Sequence, residues 1–86
     1  MTKTAITMEQ AKEVGDKIKV DFNKFDLEWF RRGMEVELEH GTIDPETNVT
    51  NDDLTMTGKI AFAHIKEFAD YYERLEKMEK EAEGKV

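Results

Sequence analysis

The sequence predicts an all-α fold, a compact bundle of three to four helices forming a single domain over residues 1–86. Three observations carry that expectation. Apolar residues recur at spacings of three and four in three separate segments, the period of one helix face. Each segment is preceded by side chains able to cap a helix. No stretch alternates apolar and polar residues as a half-buried strand does.

The first helix is announced by Thr7-Met8-Glu9-Gln10. Thr7 can accept from the backbone at Gln10, and the Gln10 side chain can return the bond, while Ile6 and Ala11 sit where a hydrophobic staple closes over the cap. Met8, Ala11, Val14 and Ile18 then form one stripe of a helix expected to end near Val20. Gly15 interrupts it at a cost of about 1 kcal/mol relative to alanine, which a close approach from a neighbouring element would explain.

A polar connection follows, carrying Phe22 and Phe25 as core plugs under the turn. Asp26 is a natural N-cap for the second helix, with Glu28 well placed in its first turn. Leu27, Phe30, Met34 and Leu38 form the inner stripe, Trp29 lies at its edge, and Gly41 is a terminator after His40.

Asp44-Pro45-Glu46-Thr47 reads as a turn, with aspartate first and the chain's only proline second. Thr50, Asp52 or Asp53 then caps a helix beginning near Leu54. Its apolar line (Ala61, Ile65, Phe68, Tyr72, Leu75, Ala82) fits either one helix to about residue 82 or two, with a break near Ala69-Asp70 and Asp70 as the second cap. The expected core gathers Ile18, Phe22, Phe30, Met34, Ile65, Phe68 and Leu75. The ends, 1–6 and 83–86, are expected to fray.

Composition narrows the chemistry. The chain has no cysteine, which removes disulfides, thiolate catalysis and cysteine-based zinc sites, and no serine to act as a nucleophile. The formal net charge is −7, and the one adjacent basic pair, Arg31-Arg32, is flanked by Glu28 and Glu35. Binding to phosphate backbones needs clustered cations, so direct nucleic-acid binding is not expected. No run reaches the length of a membrane span and no signal-peptide core opens the chain, so a cytoplasmic location without membrane attachment is expected.

The string GMEVELEHGTIDPETNVTNDDLTMTGKIAFAHIKEFADYYERLEKME resembles a small uncharacterised family of bacterial and bacteriophage proteins, whose pattern runs ELEHG, NVTxDD, then TGKIAxAHLxExPDYYxxLxxME. Gly15, Phe25-Asp26 and Phe30 fit the same family. The resemblance implies a compact helical domain in a prokaryotic cell or a phage-infected host, and it brings no activity with it. Leu54 and Ala69 stand where the family often has proline, and Ala69 should let the last helix run on more smoothly.

Several motifs fall short. Asp44, Glu46 and Asn48 alternate like calcium ligands, but Val49 replaces the required glycine and Thr55 the closing glutamate. Thr57-Gly58-Lys59 lacks the upstream glycine and the strand of a phosphate-binding loop, which leaves Gly58 as a close-packing point. The polar group worth carrying forward is built on the two histidines. Glu37 and His40 share a helix face, as do His64 and Glu67. With Asp52, Asp53 or Asp70 these residues could hold a divalent metal between two helices, as carboxylate-bridged bundles do. The competing view is structural, with His40 at a helix C-terminus and His64 bonded at the edge of the core.

Three functions follow in order of preference. The first is an acidic helical interaction module whose partner is a protein or a second copy, with neither catalytic residues nor a cofactor. The second is a metal-dependent or catalytic domain using Glu37, His40, Asp52, Asp53, His64 and Glu67. The third is a phage-encoded inhibitor whose acidic face mimics nucleic acid.

Overall fold

A computed structural model of the protein describes residues 5–84, which form four α-helices and, among the described residues, no strand. Helix α1 spans Met8–Lys17, α2 Leu27–Glu37, α3 Leu54–Glu67 and α4 Tyr71–Gly84, and a 3₁₀ turn at Leu38–His40 continues α2. Helix α2 is the centre of the bundle, packed by α1, α3 and α4.

The starts of the first three helices are local chemistry. Thr7 accepts from the Gln10 amide and Gln10 returns a bond to the Thr7 amide, closing a capping box. Asp26 accepts from Glu28 N at 3.1 Å, and Asp53 accepts from Met56 N at 2.9 Å. Each cap satisfies a donor that the helix itself leaves open.

Helix α1 stops three residues before the expected end. The Val20 amide donates to the Gly15 carbonyl and the Lys19 amide to the Asp16 carbonyl, the two bonds of a Schellman motif. Lys19 holds the left-handed position at φ 67°. A side chain there costs about 1–2 kcal/mol against glycine, part of which glycine gives back as unfolded-chain entropy. Lys19→Gly should therefore stabilise the fold by about 0.5–1 kcal/mol, read as a melting temperature raised by a few degrees; an unchanged or lower value would contradict it.

The core holds Ile6, Ala11, Val14, Val20, Phe30, Met34, Leu38, Ala61, Ile65 and Tyr72. Ile18, Phe22 and Leu75 pack on it half-buried, as do Phe25, Trp29 and Tyr71. Phe22 meets Phe30 edge to face at 5.6 Å, and Phe25 meets Phe62 at 5.5 Å, so both phenylalanines of the connection plug the core as expected. The interruption at Gly15 is also explained: a Cβ there would collide with the Phe22 ring. Gly58 gives the same room to Val14 of α1.

Phe68 corrects the expected core. It is 57% exposed, because α3 ends at Glu67 and Phe68 adopts extended backbone at φ −138°, ψ 119°. The chain turns back through a bond from Tyr71 N to Phe68 O and starts α4 afresh. Ala69 does not carry the helix through. In a continuous helix Phe68 and Tyr72 would share one face; the break buries Tyr72 and turns Phe68 out. The Asp70 carboxylate accepts from Arg74 Nε at 2.9 Å, and Ala82, placed on the same apolar line, is exposed. Fraying at 1–4 and 85–86 lies outside the described residues. Within them α4 continues to Gly84, and Ile6 is 3% exposed and tied to α2.

That tie uses Arg31 of the basic pair. Glu35 accepts from the Ile6 amide at 2.8 Å, and Arg31 donates to the Ile6 carbonyl at 3.0 Å. Arg31 also donates through two nitrogens to Glu28 and through a third contact to Glu35, while Arg32 donates to Glu28 at 2.9 Å. The side-chain bonds from Arg31 and then Arg32 hold the Glu28 carboxyl at about 2, below its usual 4.5. Glu28 therefore adds stability that is complete above pH 4.5 and lost as the pH falls toward 2. Its side chain is 37% exposed, so solvent reduces the effect. Glu28→Gln should lower the melting temperature at neutral pH, and its difference from the native chain should shrink between these two pH values. A constant difference would rule out this ionisation as the source.

The loop 41–53 between α2 and α3 is organised on itself. The His40 carbonyl accepts from the amides of Val49 and Thr50, and the Thr47 amide donates to the Asp44 carbonyl across the proline turn. Asp44 accepts from the Glu46 amide and Asn48 from the Asn51 amide. Of the alternating polar side chains, Asp44 and Asn48 are thus used as backbone partners in consecutive turns.

Candidate functional site

The inner stripe of α2 places a carboxylate in the core. Glu37 falls three residues after Met34 and seven after Phe30, hence on the buried face, and is 6% exposed. A charge so placed must be paired and hydrogen-bonded. Its partners come from α3 and α4. The Tyr72 hydroxyl donates to Glu37 Oε2 at 2.7 Å, and His64 Nδ1 lies 2.9 Å from that hydroxyl and 3.2 Å from the same carboxylate oxygen.

Donor counting fixes the direction of this chain. The phenol has one proton and it goes to Glu37, so His64 Nδ1 must carry a proton and donate toward the phenolic and carboxylate oxygens. Nε2 is then the nitrogen left over on a ring whose side chain is 33% exposed. Burial first, and then the bond to Glu37, push the Tyr72 hydroxyl far above the usual phenol range, so it stays a proton donor. The Tyr72 ring lies over Gly33 of α2, where a Cβ would strike it. Glycine at that position lets α4 approach closely enough for the hydroxyl to reach Glu37.

The polar chain fixes a second aromatic. His64 stacks on Tyr71 at 4.4 Å with an interplanar angle of 9°, and Tyr71 meets Tyr72 edge-on at 4.9 Å. Tyr71 is thus held between an anchored imidazole and an anchored phenol. It forms one wall of an open groove of about 430 Å³ lined by Phe68, Tyr71, Arg74, Leu75 and Met78. Phe68 and Met78, 57% and 56% exposed, project beside it.

Of the residues singled out as ligands, the structure brings together Glu37 and His64, from different helices. The within-helix pairs do not form the cluster. His40 is exposed and serves the loop through its carbonyl, and Glu67 is exposed at the end of α3. Asp52 accepts from the Thr42 amide and hydroxyl at 2.9 and 2.6 Å, and Asp53 caps α3. Among the described residues, no group of three or more histidine, aspartate or glutamate side chains is placed to hold a metal ion. Tyr72 was the member missed from sequence. Its signal was available: a hydroxyl on the inward line of one helix and a carboxylate on the inward stripe of another each need a buried partner.

Fold and site together define a small helical domain in which the buried Glu37 carboxylate links three helices beside an apolar groove. The chain belongs to the DUF5661 family, described as a protein of unknown function, whose model matches residues 11–81, as expected of an uncharacterised family. No curated protein and no solved structure gives a significant match. No helix among the described residues is long and apolar enough to cross a membrane.

Proposed function

We propose that this protein is a prokaryotic or phage-encoded interaction module, working in the cytoplasm, that docks an amphipathic helix of a protein partner along α4. The observation that carries the reading is the groove beside Tyr71. An exposed phenylalanine and methionine flank half-buried Tyr71 and Leu75, forming one contiguous apolar strip. Aromatic residues and methionine are the side chains that interfaces favour. The strip is rigid at its centre, because the Glu37–Tyr72–His64 chain holds Tyr71, so little ordering cost falls on binding. In this reading the polar chain has a positional role, holding Tyr71 in place.

The test titrates the isotope-labelled full chain with a synthetic amphipathic helix of leucine and lysine, followed by nuclear magnetic resonance. Saturable shifts centred on Phe68, Tyr71, Leu75 and Met78 are expected, and Phe68→Asp should abolish them without changing the melting temperature. A lysine peptide lacking leucine controls for plain charge attraction. Equal shifts with that control, or shifts elsewhere on the surface, would overturn the reading.

A further inference from the structure

We infer that the helix docked on α4 is the α4 of a second copy of this chain, running antiparallel to it. The inference rests on the reading of the groove as a helix-docking surface, and it names the occupant. Tyr71, Leu75, Met78 and Ala82 follow one another at spacings of four, three and four, the seam of a coiled-coil pair. The seam borders the face that packs inward: Leu75 lines, with Tyr72 and Glu79, the crevice shared with Trp29, Arg32 and Val36 of α2, while Met78 and Ala82 are exposed beside it.

The antiparallel register follows from size and charge. With Leu75 of one copy against Met78 of the other, Tyr71 meets Ala82 at both ends, so each large ring faces a small side chain. The same register sets Arg74 of one copy opposite Glu81 of the other, on the open flank of the seam. Arg74 is free to turn there, since its ion pair with Asp70 is exposed on both sides.

A third observation concerns the two ends of the seam. Ile43 of the loop is 53% exposed and lines an open groove with Glu79, Ala82 and Glu83, at the C-terminal end of α4. Phe68, 57% exposed, lies just before the N-terminal end. The two lie at opposite ends of α4 within one chain. A two-fold axis through the middle of an antiparallel α4 pair brings Phe68 of each copy to Ile43 of the other. One operation thus covers both exposed apolar residues. Two fourteen-residue helices with these additions bury less than a standard interface, so the pair is weak and concentration-dependent.

Sedimentation of the full chain over a wide concentration series tests this. The expected mass rises from the 10.0 kDa of one chain toward twice that value. Met78→Asp and Ile43→Asp should each weaken pairing by about tenfold or more, with unchanged melting temperature because both side chains are exposed. Arg74→Glu should weaken it too, and adding Glu81→Arg to that variant should restore it. In a parallel pair Arg74 would instead face Glu79, and the exchange would not rescue. A chain that stays monomeric throughout overturns self-pairing; the peptide titration then decides separately whether the groove docks another helix. Pairing insensitive to Met78 or Ile43, or unrescued by the charge exchange, overturns the proposed register.

Discussion

Replacing Phe30 by alanine should destabilise the protein by about 3–5 kcal/mol, the cost of removing a large buried ring and leaving a cavity. Phe30 is 0% exposed in the first half of α2. Its ring lies edge-on to Phe22 and close beside both Gly15 of α1 and Gly58 of α3, so three helices share it. A domain of this length has roughly 4–13 kcal/mol in total, so the variant should be largely unfolded near the lower end of that range. Urea denaturation followed by helical circular dichroism measures the loss, and a value under about 1 kcal/mol would show that Phe30 does not carry the core. Phe68→Ala gives the contrast within one residue type. Phe68 is 57% exposed and should change stability by no more than about 0.5 kcal/mol.

The difference between these two phenylalanines shows where sequence reading succeeds and where it ends. Capping is settled within four residues, so Thr7 and Asp26 could be placed as caps without knowledge of the fold, and the third cap narrowed to Thr50, Asp52 or Asp53, of which Asp53 holds the position. Helix periodicity is almost as local, and it placed Phe30, Met34 and Ile65 in the core. Phe68 lies on an equally good apolar line, but its burial depended on whether the helix continued past Glu67. Periodicity fits one helix or two equally well there. Tertiary contact decides: Tyr72 gains a buried carboxylate and a close seat over Gly33 by breaking the line. The site was half legible for the same reason. Glu37 and His64 stood out as members of the Glu37–His40 and His64–Glu67 pairs, because spacing along a helix pairs each with its own neighbour. Their actual pairing crosses from α2 to α3 and passes through α4, a relation that no local pattern encodes.

Tyr72→Phe should cost about 2–3 kcal/mol, although it removes a single oxygen. The ring stays and keeps its packing over Gly33, so the loss is that of the hydroxyl alone. What remains is a 6% exposed carboxylate with only His64 Nδ1 within reach, at 3.2 Å. An under-satisfied buried charge is more costly than a lost neutral hydrogen bond. Glu37→Gln keeps an acceptor for the phenol and should cost less, about 1 kcal/mol. Removing both members, as Glu37→Leu with Tyr72→Phe, should cost less than the Glu37→Leu and Tyr72→Phe single changes summed, by about 1 kcal/mol or more, because neither then strands the other. Denaturation of the four chains closes this cycle, and additive losses would mean that the hydroxyl and the carboxylate stabilise the fold independently. Alkaline pH offers a second readout. The folded chain holds the Tyr72 proton far above the usual value of 10, while the unfolded chain releases it there. This part of the stability is complete below pH 10 and declines as the pH rises beyond it. Tyr72→Phe has no such proton to lose, so its deficit relative to the native chain should narrow above pH 10. A deficit that stays constant would place the hydroxyl in contact with solvent rather than with Glu37.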